Sequence, residues 1–299
     1  MADAPKTQYL KSEHNAGQVT AYRVYEKRSG RSTTPLVMIQ GLSAVGTIDY
    51  HDLAQALSKN RTVVTFDNRD IGESTWGKNP SPFTLEDLAR DVAHLIQHLQ
   101  YKEVDVLGHS MGGMIAQTLI TLPDLPFSIK HAVLGATCAK NPKSDLGKAM
   151  AGYLRKVQAA GKKPDPREMS EVMTRNCYDE EWINGNPELY EKRIQEAIST
   201  RRPAATIALQ QKAIGKYDVR EKLRSVPSSL KVLVIHGQRD VAVYPEEVDD
   251  IVKAIPHAQV LKKAPGPYAH NWYDYFGSEF WEDQLRAFLD SESPAKANL

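Results

Sequence analysis

Six short apolar runs, separated by stretches of helical periodicity, constrain this chain more than any other feature. They are Leu36–Ile39, Val63–Phe66, Val104–Leu107, Ala132–Leu134, Val232–Ile235 and, more weakly, Val260–Leu261. Each is apolar at consecutive rather than alternate positions, so each predicts a strand buried on both faces. A parallel sheet covered by helices on both sides provides such sites. The helices are legible between the runs. After Thr84, the residues Leu85, Leu88, Val92, Leu95, Ile96 and Leu99 fall on one face of a 3.6-residue period. Thr84 and Asp87 are spaced as a capping box at its start. Pro245 suits a first helical position ahead of Val248, Ile251, Val252 and Ile255. Trp281, Leu285 and Phe288 mark a closing helix. The expected fold class is α/β, a doubly wound and mostly parallel sheet. Residues 7–28 precede it as an antiparallel hairpin turning at Asn15-Ala16-Gly17.

One interval breaks the alternation. Lys140 to Leu230 separates the fourth and fifth parallel strands, where a single crossover helix would serve. Leu146, Met150, Leu154 and Val157 form one stripe, and residues 188–199 and 203–214 also have a helical pattern, with Pro164 and Pro166 as breakers. A structureless loop of this length is foreign to a compact domain, so an inserted helical subdomain is expected. The division is therefore a core of 1–139 and 229–299 and a helical cap of 140–228. Met150, Tyr153, Met169 and Met173 are cap candidates for lining an apolar pocket, although a methionine at helical spacing more often fills a core.

Composition excludes several function classes. Lys plus Arg total 38 against 37 Asp plus Glu, a net charge of +1. Nucleic-acid or anionic-membrane binding needs a clustered basic excess, and Lys162-Lys163 and Arg201-Arg202 are short enough to read as solvated surface. Two cysteines, Cys138 and Cys177, make no disulfide framework and read as reduced thiols, with Cys138 a small apolar residue at a strand end. No CxxC or HExxH spacing occurs, so neither a metal nor a cofactor is expected. No run approaches the ~20 apolar residues of a membrane span, and Met1 to Lys11 lacks the apolar core of a signal peptide. The tail Ala297-Asn298-Leu299 loosely resembles a peroxisomal address but lacks its basic middle residue. A cytosolic protein with a small-molecule partner is the expectation. Oligomeric state is open.

Gly108-His109-Ser110-Met111-Gly112 carries the chemistry. In a G-x-S-x-G elbow the serine sits on a tight strand-to-helix turn that projects its hydroxyl free of the sheet. The flanking glycines prevent collisions in the turn, and the following helix aims its N-terminus at the reacting centre. Val104–Leu107 supplies the strand, and Ile115, Leu119 and Leu122 the helix, which stops before Pro123.

A serine hydroxyl needs a base, and the base an orienting acid. Asp240 follows the Val232–Ile235 strand in His236-Gly237-Gln238-Arg239-Asp240. The rival position after Leu134 holds Gly135-Ala136-Thr137 and no carboxylate. His270 follows the last strand on a loop of its own, in the chain order serine, acid, histidine. Among the alternatives, His109 lies beside the nucleophile but poorly placed to face it, and His94 and His98 sit on a helix. His236 lies at a strand end and His257 before the last strand. The oxyanion hole needs two backbone N–H groups. Met111 supplies one, and Leu42, in Gln40-Gly41-Leu42-Ser43, supplies the other, with Gly41 permitting close approach. Gly41, Met150, Tyr153, Met173 and Trp272 are the candidate substrate contacts.

With these motifs the chain resembles the α/β-hydrolase superfamily from about residue 18 to 290. Phe66-Asp67-Asn68-Arg69-Asp70-Ile71-Gly72-Glu73-Ser74 resembles that family's D-x-R-G-x-G-x-S turn, in a variant similar to the aclacinomycin methylesterase-like branch. The resemblance implies that Asp67, Arg69 and Ser74 are scaffold, and that 140–228 is a cap covering the site and setting substrate choice. Two positions depart from the pattern: Gln40-Gly41 stands where His-Gly is usual, and Ala269-His270 where Gly-His is usual. Both weaken assignment to a subfamily. The epoxide hydrolase and dehalogenase branches carry Asp where this chain has Ser110. Serine with an oxyanion hole suits acyl transfer at a carbonyl, so the expectation is a carboxylic ester hydrolase or lactonase. Cleavage of a diketone C–C bond by the same triad is the alternative within enzymes. A slow-turnover ligand receptor on the same scaffold is the alternative outside them.

Overall fold

In the computed structural model, residues 4–12, 17–29, 34–77 and 81–291 are described. The core strands are β1 (Gln8–Lys11), β2 (Gln18–Tyr25), β3 (Leu36–Ile39), β4 (Val63–Phe66), β5 (Thr75–Trp76), β6 (Glu103–His109), β7 (Ser128–Gly135), β8 (Lys231–Ile235) and β9 (Gln259–Val260). Between β3 and β4 lie α1 (Gly46–Asp49) and α2 (His51–Leu57), then α3 (Leu85–His98) precedes β6 and α4 (Met111–Leu119) precedes β7. Six helices fill the interval before β8: α5 (Asp145–Ala159), α6 (Pro166–Arg175), α7 (Glu180–Gly185), α8 (Pro187–Ser199), α9 (Ala204–Ile214) and α10 (Arg220–Leu223). After β8 come α11 (Val248–Ala254), introduced by a turn of tighter helix from Pro245, and the closing α12 (Ser278–Leu289).

The sheet runs β1-β2-β4-β3-β6-β7-β8-β9, with β5 also on β2. From β4 to β9 all pairings are parallel, while β1–β2 and β2–β4 are antiparallel. The expected hairpin is thus the antiparallel edge of a parallel sheet. Of its turn, Asn15 and Ala16 lie outside the described residues, as does the 297–299 tail. Alternate residues of each central strand feed opposite layers. Val37 and Ile39 pack with α3, α4 and α11, while Leu36 and Met38 pack with α2 and α12. This accounts for consecutive apolar positions in β3, β4, β6 and β8. The weakest run is corrected: β9 is a two-residue strand at the edge of the sheet, paired on one side by β8, and both its residues are exposed.

The capping box forms as spaced, Thr84 Oγ1 accepting from the Asp87 N–H at 3.1 Å and Asp87 Oδ2 accepting from the Thr84 N–H at 2.7 Å. In α5 the packing differs from expectation. None of its residues is buried, and Leu154 is 40% exposed. The stripe Leu146–Val157 therefore fills no core. Towards its end the inserted segment rejoins the main packing, where Ala213, Tyr217, Val219 and Leu223 belong to the same apolar cluster as α3 and α4. Among the described residues, no helix is long and apolar enough to cross a membrane.

Candidate active site

The elbow is built on steric necessity. A Cβ at Gly108 would lie 2.3 Å from the Gly112 carbonyl oxygen, and one at Gly112 would lie 2.0 Å from that of Ile39. Both are closer than any side chain tolerates, so β6, α4 and the end of β3 can meet only through glycine. Between them Ser110 has φ 57° and ψ −121°, a conformation that costs a side-chain-bearing residue about 1–3 kcal/mol. Its backbone is held firmly. The Ser110 N–H donates to the Gly135 carbonyl at 2.9 Å, and its own carbonyl accepts from the Gly113 N–H and from Thr137 Oγ1. Met111 opens α4 and so carries one of the amides that a helix leaves without an internal partner. Gly41 approaches so closely that a Cβ there would be 3.2 Å from Ser110 Cβ.

Asp240 and His270 come from loops after β8 and β9. His270 Nδ1 lies 2.8 Å from Asp240 Oδ2, and both residues are buried. A carboxylate only accepts, so Nδ1 carries the proton, and in the neutral ring Nε2 keeps its lone pair. Asp240 Oδ1 accepts from the Ala242 and Val243 N–H groups, each at 2.9 Å. Burial opposes ionisation of Asp240. The neighbouring His270, with hydrogen bonds from His236 and His270, outweighs it and holds the carboxyl below its ordinary range. His236 was passed over in the sequence. Its Nε2 is 2.9 Å from the Val243 carbonyl and 3.3 Å from Asp240 Oδ2.

His109 has both ring nitrogens engaged in a buried relay. Its Nε2 faces the His270 carbonyl at 3.1 Å, and its Nδ1 faces the Tyr50 hydroxyl at 2.6 Å. The carbonyl can only accept, so Nε2–H donates and Nδ1 accepts from Tyr50. Burial, assisted by His270, pushes His109 down to about 3, which keeps the ring neutral. Tyr50 in turn accepts from the Gly41 N–H at 3.4 Å. The backbone of the histidine loop and the turn after β3 are thus joined through two side chains.

Not every candidate reaches this place. Trp272 is fully buried, against Gly135 and edge-on to Trp281 and Tyr273, and belongs to the core rather than to a substrate surface. Met150, Tyr153 and Met173 are half-buried. The Tyr153 hydroxyl accepts from the Asp165 N–H at 2.9 Å, closing the turn between α5 and α6. Helix α5 starts beside the acid loop, where the Asp145 N–H donates to the Val241 carbonyl and Tyr244 donates to Asp145. Of the pair Arg201-Arg202, read as solvated surface, Arg201 is half exposed and Arg202 is largely withdrawn from solvent, and both are engaged by carboxylates. Arg201 binds Asp70, and Arg202 binds Asp49 and the Ser43 carbonyl, because the α8–α9 connection lies on the turns after β3 and β4. Asp67, fully buried, accepts from the N–H groups of Thr47 and Glu73, and burial raises its pKa to about 6. Ser74 donates to the Asp67 carbonyl and Arg69 pairs with Asp91, all within the scaffold. Cys138 is buried with its thiol on the Lys140 carbonyl.

Further contacts join the inserted segment to the histidine loop. Arg193 of α8 pairs with Asp274, its Nε 2.9 Å from Oδ2, and the Asn271 N–H donates to the Cys177 carbonyl. Asn271 Nδ2 also donates to the Tyr178 hydroxyl at 2.9 Å. These partners are 81 to 94 positions apart in the chain, which is why no local pattern announces them.

Comparison with known proteins gives a consistent answer. A family model described as the alpha/beta hydrolase fold matches residues 34–274. Curated relatives align over part of their lengths. A soluble epoxide hydrolase from a Corynebacterium species is 32% identical over 103 residues, 34% of this chain and 35% of that protein. The 3-oxoadipate enol-lactonase 2 of Acinetobacter baylyi is 28% identical over 180 residues, 60% of this chain and 61% of its own. The crystal structure of the enol-lactonase from Burkholderia xenovorans superposes with a TM-score of 0.76 at 20% identity, covering 95% of this chain and all of that one.

Proposed function

The chain belongs to the alpha/beta hydrolase family, and from that premise we propose that it hydrolyses a carboxylic ester or lactone through an acyl-enzyme formed on Ser110. The observation that carries the reading is the 2.8 Å pair of His270 Nδ1 and Asp240 Oδ2, buried on loops at the end of the sheet where Ser110 projects. With Nδ1 committed to the carboxylate, Nε2 is the basic nitrogen. It takes the Ser110 proton as Oγ bonds to the substrate carbonyl carbon, and the carbonyl electrons move to oxygen. The Leu42 and Met111 N–H groups stabilise that oxyanion. The intermediate collapses, the carbon–oxygen bond to the leaving alkoxide breaks, and His270 returns the proton to it. Water repeats the sequence on the acyl group, giving the acid and free Ser110. For a lactone, the leaving alkoxide stays tethered to the acyl chain, so the product is one hydroxy acid.

Residues 140–228 act in this reading as the cap over Ser110. Their support is the set of ties to the turns after β3 and β4, to the acid loop and to the histidine loop. The test is a panel of p-nitrophenyl esters of graded chain length and several lactones, with wild type and Ser110→Ala. Turnover that depends on Ser110 is the expected result. Hydrolysis surviving the substitution, or none across the panel, defeats the proposal.

A further inference from the structure

Ser43 closes the turn after β3 with φ 59°, a left-handed conformation that a residue with a side chain adopts where its surroundings over-determine it. Here the surroundings come from far along the chain. The Ser43 N–H donates to Gln210 Oε1 at 2.9 Å, and the Ser43 carbonyl accepts from Arg202 Nη1 at 3.2 Å. Arg202 is itself fixed, Nη2 on Asp49 Oδ1 and Nε on Thr200 Oγ1, both at 2.8 Å. Asp49 completes the bracket by accepting from the Val45 N–H at 2.9 Å. Gln210 is fully buried and Ser43 5% exposed, so water offers no ready substitute for either bond.

We infer that Gln210 and Arg202 are positioning residues that hold Ser43 from both sides and thereby aim the Leu42 N–H at the reacting carbonyl. The inference rests on the proposed role of Leu42 as oxyanion donor. Leu42 lies between Gly41, which is pressed against Ser110, and the gripped Ser43. Its amide direction follows from those two fixed ends. Without the grip, Ser43 relaxes to a negative φ and the turn rotates. The oxyanion hole is then complete only while the α8–α9 connection is seated, which joins substrate closure to catalytic competence.

The test compares Gln210→Met, which removes the acceptor, with Gln210→Glu, which keeps an oxygen there. Arg202→Met, at a side chain 14% exposed, is the second variant should the buried substitution fail to fold. Three quantities are read: hydrogen exchange of the peptide spanning 41–45, the rate at which an alkyl fluorophosphonate labels Ser110, and kcat and KM on p-nitrophenyl acetate. Gln210→Met is expected to lose protection in that peptide and to slow labelling and kcat by about tenfold or more, towards the 10²–10³ seen when an oxyanion donor is lost. KM should hold steady, and Gln210→Glu should recover most of the rate. Wild-type exchange and labelling in Gln210→Met and Arg202→Met overturn the inference. If wild type neither labels nor turns over ester, the hydrolytic reading fails by itself, and unchanged exchange at 41–45 in the variants still overturns the clamp.

Discussion

Ser110 and the two histidines around it show how single side chains divide the work. If the acyl group forms on Ser110 as proposed, Ser110→Ala should lower ester turnover by several orders of magnitude and abolish fluorophosphonate labelling, as seen by mass spectrometry of the labelled peptide. Asp240→Asn leaves the packing and frees His270 to take the wrong tautomer, and kcat should drop by about 10³–10⁴. An Asp240→Asn enzyme with wild-type kcat would contradict the pairing. His109 makes a different prediction. Its folded pKa of about 3 lies below the unfolded value of about 6.5, so the unfolded chain binds the extra proton between those limits. This contribution to stability is present above pH 6.5 and is lost as pH falls through that window. Urea unfolding from pH 7 to 4 should show a steeper decline for wild type than for His109→Gln. Parallel curves for the two proteins would contradict a buried, neutral His109.

At the scale of elements, the inserted helices matter for what they leave uncovered. Helix α5 carries Leu146, Met150, Leu154 and Val157 on one stripe and buries none of them, yet its first residue is tied to the acid loop. If this segment sets which acyl or alcohol group is accepted, Met150→Ala and Met173→Ala should shift relative kcat/KM along a series of ester chain lengths. Turnover of the acetate should change little. Unchanged chain-length preference in folded variants would remove the cap from specificity. The central strands and the long helices were legible because consecutive apolar residues and the 3.6-residue stripe each have one structural solution. The exposure of α5 was not, because a stripe records amphipathicity and says nothing of what faces it. Arg202 misled for a related reason: a short basic pair looks the same whether its carboxylates are in the protein or absent.

Over the whole molecule, the end of the sheet opposite Ser110 is fastened by charge. Arg61, 1% exposed, bridges Asp105 on β6 to Asp290 just beyond α12, and His131 on β7 joins Asp105 at 2.8 Å. Asp105→Asn leaves Arg61 with only the half-exposed Asp290 as counter-ion and takes the carboxylate from His131, so it should cost about 1–3 kcal/mol in chemical denaturation. Stability unchanged by the substitution would show the cluster to be replaceable. Serine, acid and histidine could be proposed from their order along the chain, which is a property of topology. Tyr50, Gln210 and Arg202 could not, since each acts on a partner set by three-dimensional closure alone.

Those separations also govern when the site can exist. The turn at Ser43 is held by Gln210, 167 positions later, and His109 rests on the His270 carbonyl, 161 positions later. Synthesis delivers the N-terminal half first, so a growing chain exposes Ser110 long before any of these partners has emerged. On the proposed mechanism its elbow then lacks base, acid and a settled turn, and a nascent chain should not react with a fluorophosphonate. If that mechanism holds, completion of the centre comes at the end of folding, and the appearance of a reactive Ser110 would time the maturation of the whole protein.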